Sequence, residues 1–135
     1  MARSKEASMP SRMRILIVDD SSLIRHYYRD VLGKAGFEVD QAINGIEALE
    51  KVLGESYDLA IVDINMPQMD GITFVQTLRS KDLPLSGVPI LVTSSEAGIQ
   101  DIAAARRAGA NYYLVKPIKQ ETLAEYAAMF CGAPR

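Results

Sequence analysis

Charged side chains follow several short apolar runs of this sequence, at the point where each run ends. Asp19 and Asp20 come directly after the first run, and Asp63 comes directly after the second. The hydroxyl residue Thr93 follows the third run, and Lys116 follows the fourth. In a sheet of parallel strands, the residues beyond the carboxyl ends share one edge. We therefore expect these groups to converge, and three carboxylates that converge repel one another until a cation balances them.

Two cations could balance this cluster. Lys116 supplies one positive charge, and carboxylate oxygens are the ligands that Mg²⁺ prefers. The chain has one cysteine and one histidine, so the sequence does not favour a zinc site. A carboxylate beside Mg²⁺ and an ammonium group, with a hydroxyl within reach, is equipped to attack phosphorus. The chemistry predicted from these residues is phosphoryl transfer to an aspartate.

The elements that would position these groups can be predicted from the apolar pattern. Continuous apolar runs at 15–18, 59–62, 88–92 and 112–115 are typical of strands buried on both faces, as in a parallel sheet. The stretch 37–42 alternates instead, which predicts an edge strand. Pro89 lies near the start of its run, one of the few places where a strand accepts proline.

Apolar residues with helical spacing follow each predicted strand. They occur at 24–32, behind Asn44 and Gly45, at 72–78 behind Asp70, at 99–103, and at 123–130. Asp70 is a candidate N-cap, and Gly109 is predicted to end the fourth helix. Five repetitions of strand and helix predict a parallel sheet with right-handed crossovers and helices on both faces.

Length and charge restrict the class of protein. With 135 residues, of which 48% are hydrophobic, the chain can form one globular domain. We expect a disordered lead-in over 1–13, the domain over 14–131, and a short tail over 132–135. The net charge of −2 does not predict binding to nucleic acid or to an anionic membrane surface. A single cysteine fits a reducing, cytoplasmic setting, and no apolar stretch approaches the length of a membrane span.

Four segments, "LIVDDSS", "DLAIVDINMPQMDG", "ILVTSS" and "AGANYYLVKP", together resemble the receiver domain of two-component response regulators, including the single-domain chemotaxis members. The resemblance covers roughly residues 14–130. It implies a flavodoxin-like, doubly wound α/β fold with five parallel strands in the order 2-1-3-4-5 and five helices, (βα)5.

The resemblance also implies roles for the acidic residues. Asp63 would be the phosphoacceptor, and Asp19 and Asp20 would bind Mg²⁺ together with Asp63. Asn65 would contribute its backbone carbonyl to the metal. Each assignment has a plainer alternative: the Asp19–Asp20 pair could cap the first helix, and Asp63 could be a turn residue that ends its strand.

Further roles follow from the same resemblance. Thr93 would hydrogen-bond the phosphoryl group, and Lys116 would form an ion pair with it. The bond between Lys116 and Pro117 is expected to be cis. Tyr113 would be the switch aromatic that moves inward with Thr93. Alternatively, Tyr113 is a half-buried strand residue without a switch role. Tyr112 is its neighbour, so the assignment depends on which face of the strand each ring occupies.

Three functions remain open at the level of sequence. The favoured one is a stand-alone receiver, not a turnover enzyme, that takes a phosphoryl group from a sensor histidine kinase or a histidine phosphotransfer protein. It would act as a monomer or weak phosphorylation-dependent dimer on a target protein, through the face of helix 4, strand 5 and helix 5. The second is the receiver portion of a longer regulator with a DNA-binding or enzymatic output. The third is a Mg²⁺-dependent phosphohydrolase, although such enzymes usually read Asp-x-Asp where this chain has Asn65.

Overall fold

The computed structural model describes residues 12–95 and 98–131. Most of the predicted lead-in and the whole predicted tail lie outside the described residues. The elements alternate along the chain: β1 (Arg14–Val18), α1 (Ser22–Lys34), β2 (Glu38–Ala42), α2 (Gly45–Gly54), β3 (Leu59–Asp63), α3 (Gly71–Arg79), β4 (Ile90–Ser94), α4 (Ile99–Ala108), β5 (Tyr112–Val115) and α5 (Gln120–Cys131). A 3₁₀ turn, Leu85–Gly87, precedes β4.

The five strands form one parallel sheet in the order β2-β1-β3-β4-β5. This confirms the predicted flavodoxin-like fold and the prediction that the alternating stretch is an edge strand, since β2 pairs only with β1 among the described strands. β4 begins at Ile90, two residues later than the apolar run predicted. Pro89 therefore lies outside the strand, where its missing N–H removes no bond from the sheet.

Alternating side chains of the strands pack into two hydrophobic layers. Ile15, Ile17, Leu59, Ile61 and Leu91 belong to the layer that contains residues of α1 and α5. The residues between them, including Leu16, Val18, Ala60, Val62 and Val92, belong to the layer that contains residues of α2, α3 and α4. Both faces of the central strands are thus buried, which explains their continuous apolar runs. Within the described residues, no helix is long and apolar enough to cross a membrane.

Side-chain caps begin three of the helices. Ser21 accepts a hydrogen bond from Ile24 N at the start of α1. Asn44 caps α2, and Asp70 caps α3 through a bond of 2.8 Å from Thr73 N, which confirms the predicted role of Asp70. The first helix is therefore capped by Ser21 and not by the preceding aspartates, so the plainer interpretation of that acidic pair is wrong.

Arg79, at the end of α3, forms hydrogen bonds with both the loop that precedes β4 and the loop that precedes β5. Its guanidinium donates hydrogen bonds to the carbonyl oxygens of Ser86, Val88 and Gly109 and to Asn111 Oδ1, at 2.7 to 2.9 Å. Burial lowers the pKa of Arg79 from its ordinary value. Gly109 has a φ of 115° and ends α4, as predicted, because this left-handed conformation favours glycine.

Candidate functional site

Three carboxylates meet at the carboxyl edge of the sheet. β1 and β3 pair with Val18 opposite Val62, so the residues that follow are neighbours. One carboxylate oxygen from each of Asp19, Asp20 and Asp63 lies within 4.8 Å of the others. Asp19 is only 1% exposed and Asp63 only 6%, whereas Asp20 faces solvent. We call these three residues the acidic rim.

Lys116 extends from the end of β5 into the acidic rim. Its ammonium group lies 2.9 Å from Asp19 Oδ2 and 3.1 Å from Asp63 Oδ1. Its backbone N–H donates to Ser94 O at 2.7 Å, which holds the end of β5 against β4. The following bond, to Pro117, is cis. One ammonium group therefore serves two nearly buried carboxylates.

The pKa shifts follow from this arrangement. Burial, and then the charge of Asp19, raise the pKa of Asp63 above its ordinary value, against the opposing effect of Lys116. Burial alone would lower the pKa of Lys116, but the hydrogen bond and charge of Asp19, joined by the charge of Asp63, leave it raised. The rim therefore keeps an excess of negative charge that Lys116 does not neutralise.

This donor set suits a hard divalent cation. Its three groups offer oxygen atoms of carboxylates, close enough to share one ion, and Mg²⁺ prefers such ligands together with water. The rim contains neither histidine nor cysteine, the ligands that a zinc site usually requires. The residues present thus fit Mg²⁺ in type, spacing and charge.

Backbone contacts hold the rim in position. Asp19 Oδ1 accepts a hydrogen bond of 2.9 Å from Ser21 N, and Arg25 donates to the carbonyl oxygen of Asp19 at 2.8 Å. The loop after β3 folds back until Gly71 N donates to Ile64 O. A Cβ at Gly71 would overlap the carbonyl oxygen of Asp63, so this close approach requires glycine.

Comparison with known proteins assigns the family. The family model described as "Response regulator receiver domain" matches residues 15–128. The chain belongs to the response regulator receiver family.

Two curated relatives of this chain differ in length. Chemotaxis protein CheY1 of Helicobacter pylori is 36% identical over 122 residues, which cover 89% of this chain and 98% of that protein. The transcriptional regulatory protein PrrA of Mycobacterium leprae is 41% identical over 118 residues, covering 87% of this chain. This chain spans about half of PrrA, 48% of its length.

Solved structures share the receiver fold. Chemotaxis protein CheY4 of Vibrio cholerae superposes with a TM-score of 0.83 at 35% identity, covering 89% of this chain and 99% of that one. A CheY-like receiver domain protein of Methanospirillum hungatei superposes with a TM-score of 0.81 at 30% identity, covering 88% and 93%.

Thr93 lies beside the predicted phosphoacceptor of this receiver. It pairs in register with Asp63, so both side chains leave the sheet on the same face. Thr93 is fully buried, and its hydroxyl oxygen has no hydrogen-bond partner in the part of the chain that the structure describes. Its role toward a phosphoryl group stays a prediction.

The two adjacent tyrosines of β5 lie on opposite faces. Tyr112 stacks on Tyr126 of α5, with ring centroids 4.8 Å apart, and the two hydroxyls are 3.1 Å apart. Tyr113 packs against the layer of α2, α3 and α4 and is half-buried. Tyr113 therefore lies on the α4 side, and its role as a switch stays a prediction.

Asn65 and His26 are both exposed. Asn65 lies in the loop after β3, two residues beyond Asp63, and the metal contact predicted for its carbonyl is untested. His26 lies on α1, with its Nδ1 at 3.2 Å from an Arg29 nitrogen.

Sequence reasoning missed Tyr28. The periodicity placed it in the apolar stripe of the first helix, and it is indeed 1% exposed. Its hydroxyl, however, lies close enough to Asp19 and Asp63 for their charges to act on it. The available signal was the residue type, because a tyrosine at a core position must also place a hydroxyl.

Proposed function

We propose that this receiver accepts a phosphoryl group on Asp63 from a sensor histidine kinase or a histidine phosphotransfer protein. Mg²⁺ would be held by Asp19, Asp20, Asp63 and the backbone carbonyl of Asn65. The observation that carries the proposal is the placement of Lys116, whose one ammonium group lies between Asp19 and Asp63 in a rim with excess negative charge.

The chain's own groups have distinct tasks in this transfer. A carboxylate oxygen of Asp63 attacks phosphorus, and the bond between phosphorus and the donor's imidazole nitrogen breaks as the aspartyl phosphate forms. Mg²⁺, when bound, neutralises charge on the phosphoryl oxygens. Lys116 adds a positive charge that moves from the free carboxylate to the phosphoryl group.

The phosphoryl group acts as a switch through contacts that differ between two conformations. The Thr93 hydroxyl donates to a phosphoryl oxygen in the active conformation, and the displacement of Thr93 shifts β4, whose residue Val92 pairs in register with Tyr113. Tyr113, half-buried on the α4 side, then moves inward. The free protein samples this conformation as a minor state, and phosphorylation raises its population in proportion to the difference in contacts.

The face formed by α4, β5 and α5 is the proposed docking surface for a downstream protein. Large apolar side chains are exposed there: Ile99, Tyr112, Val115 and Met129. Tyr113 belongs to β5, the strand of this face that ends next to Lys116, so a movement of Tyr113 would change the face when the rim changes.

An amide NMR titration tests the proposal. In the presence of Mg²⁺, beryllium fluoride is added as a phosphoryl mimic to the wild type, to Asp63→Asn and to Asp82→Asn, an exposed carboxylate near the opposite end of the sheet. We expect shifts that spread from Asp63 to Thr93, Tyr113 and α4 in the wild type and in the control.

Asp63→Asn should show none of these shifts. If the wild type binds Mg²⁺ but gives no response to the mimic, or if Asp63→Asn responds equally, the proposed phosphoacceptor is wrong. Steady turnover of a small acyl phosphate without any conformational response would favour the phosphohydrolase alternative instead.

A further inference from the structure

Two buried hydroxyl groups lie beneath the acidic rim without a hydrogen-bond partner. Tyr28 is 1% exposed and Thr93 is fully buried, and neither hydroxyl oxygen meets a donor or acceptor among residues 12–95 and 98–131. A buried hydroxyl without a partner destabilises the folded protein, because it has lost the hydrogen bonds that it makes with water in the unfolded chain. The two groups are neighbours, because the Thr93 side chain acts on the Tyr28 hydroxyl.

The position of Tyr28 places its hydroxyl at the floor of the site. Its ring belongs to the same hydrophobic layer as three strand residues, each two positions before a residue of the site: Ile17, Ile61 and Leu91. Because side chains alternate along a strand, Asp19, Asp63 and Thr93 extend from that same face. A phenol is protonated at neutral pH and can donate, and the Tyr28 hydroxyl lies close enough to Thr93 for the two side chains to interact.

Two other tyrosines of this receiver have acceptors for their hydroxyls. Tyr27 donates to Ile118 O at 2.9 Å, and Tyr57 donates to Asp40 Oδ2 at 2.6 Å. Tyr28 is different because its hydroxyl lies near Asp19, Asp63 and Thr93 and has no hydrogen-bond partner within the described part of the chain. A purely structural role would be filled as well by phenylalanine.

We infer that Tyr28 is a positioning residue for the switch: its hydroxyl donates to Thr93 Oγ1 and thereby directs the Thr93 hydrogen toward a phosphoryl group on Asp63. The inference rests on the function proposed above. A threonine hydroxyl has one hydrogen and two lone pairs. Once Thr93 donates that hydrogen to a phosphoryl oxygen, its own oxygen needs a donor.

Tyr28 is placed to be that donor. The ammonium group of Lys116 is engaged by Asp19 and Asp63, whereas the phenol of Tyr28 has no other partner in the described structure. The chain from Tyr28 through Thr93 to the phosphoryl group satisfies both hydroxyls at once, and each bond in such a chain strengthens the next.

The test compares two variants that each remove one hydroxyl. Tyr28→Phe keeps the ring, and Tyr57→Phe is the control at the opposite end of the sheet. We measure the affinity of Mg²⁺-loaded protein for beryllium fluoride by amide NMR, and stability without the mimic by urea unfolding. We expect Tyr28→Phe to weaken the affinity about threefold to tenfold, the size of one hydrogen bond, with no loss of stability. Tyr57→Phe should lose stability and keep wild-type affinity.

A Thr93→Ala background separates positioning from a general effect. If Tyr28 acts through Thr93, adding Tyr28→Phe to Thr93→Ala should change the affinity by less than twofold. Equal losses with and without the Thr93 hydroxyl, or wild-type affinity in Tyr28→Phe, would overturn the inference while leaving the proposed function intact. If the wild type itself fails to bind the mimic, the proposed function fails and the inference with it.

Discussion

Replacing Asp63 with asparagine should stabilise the metal-free receiver. At an effective dielectric constant of about 20, Asp19, whose carboxylate oxygen lies no more than 4.8 Å from that of Asp63, repels Asp63 by at least about 3.5 kcal/mol. Asp20 is exposed, so water reduces its share to about 1 kcal/mol at a dielectric constant of about 80. Attraction to the Lys116 ammonium group, 3.1 Å from Asp63 Oδ1, stabilises the Asp63 carboxylate by about 5.4 kcal/mol at the same dielectric constant of about 20.

These charge terms almost cancel, so the burial of the Asp63 carboxylate decides the sign. Transferring a carboxylate from water into a nearly buried position costs several kcal/mol per ion. The raised pKa of Asp63 agrees, because it shows that burial disfavours the charged form. An amide avoids most of that cost and leaves Lys116 paired with Asp19. We expect Asp63→Asn to raise the free energy of unfolding by about 1 to 3 kcal/mol at neutral pH.

The gain should depend on pH in a defined direction. Because the pKa of Asp63 is raised in the folded protein, folding takes up a proton between the unfolded value, near 3.8, and the folded value. The contribution of Asp63 to wild-type stability is therefore fully present below the unfolded value and is lost as pH rises through the folded value. The difference between variant and wild type should grow across that window and stay constant above it.

Urea unfolding followed by circular dichroism, with EDTA and across pH, measures this difference. Asp40→Asn is the control, since Asp40 accepts from Arg14 and Tyr57 and its loss should destabilise the protein. Excess Mg²⁺ should reduce the difference in free energy of unfolding between Asp63→Asn and the wild type, because it stabilises the wild type more than the variant. If Asp63→Asn is less stable than the wild type in EDTA at neutral pH, attraction to Lys116 outweighs burial and the reasoning is refuted.

Three further substitutions, with Gly33→Ala as the control for one of them, test the surroundings of the site by the same unfolding measurement. Lys116→Met should destabilise the metal-free protein by about 3 to 5 kcal/mol, because it leaves buried carboxylates unpaired; a cost below 1 kcal/mol would contradict the ion-pair geometry. Gly71→Ala should cost more than 2 kcal/mol through overlap with the Asp63 carbonyl, whereas Gly33→Ala, with nothing within 4 Å, should gain about 0.5 to 1 kcal/mol. Arg79→Met should cost about 2 to 4 kcal/mol, because four oxygen acceptors lose their donor; an unchanged midpoint would show that water replaces the guanidinium.

The order of elements and the sheet were predictable because their signals are local. Apolar runs, the alternating edge strand and the cap at Asp70 all depend on residues close together in the chain, and the structure confirms them. The start of β4 was placed two residues early because Val88 and Pro89 continue the apolar run but precede the strand, although Pro89 O accepts a hydrogen bond from Ala60 N of β3.

The acidic rim was also accessible from sequence, since strand ends in a parallel sheet share an edge. Tyr28 was not, because periodicity reports which face of a helix is buried and says nothing about where a hydroxyl ends. The faces of Tyr112 and Tyr113 likewise stayed open until α5 was seen to stack on Tyr112.

By itself, the sequence determined which residues bear charge at the strand ends and which elements carry them. Only the tertiary structure decided how Lys116 is shared between Asp19 and Asp63, and that two hydroxyls from α1 and β4 lie unpaired beneath them. The reason is physical: periodicity and strand order are set by neighbours along the chain, whereas distances, burial and pKa shifts arise from side chains as far apart as residues 19 and 116.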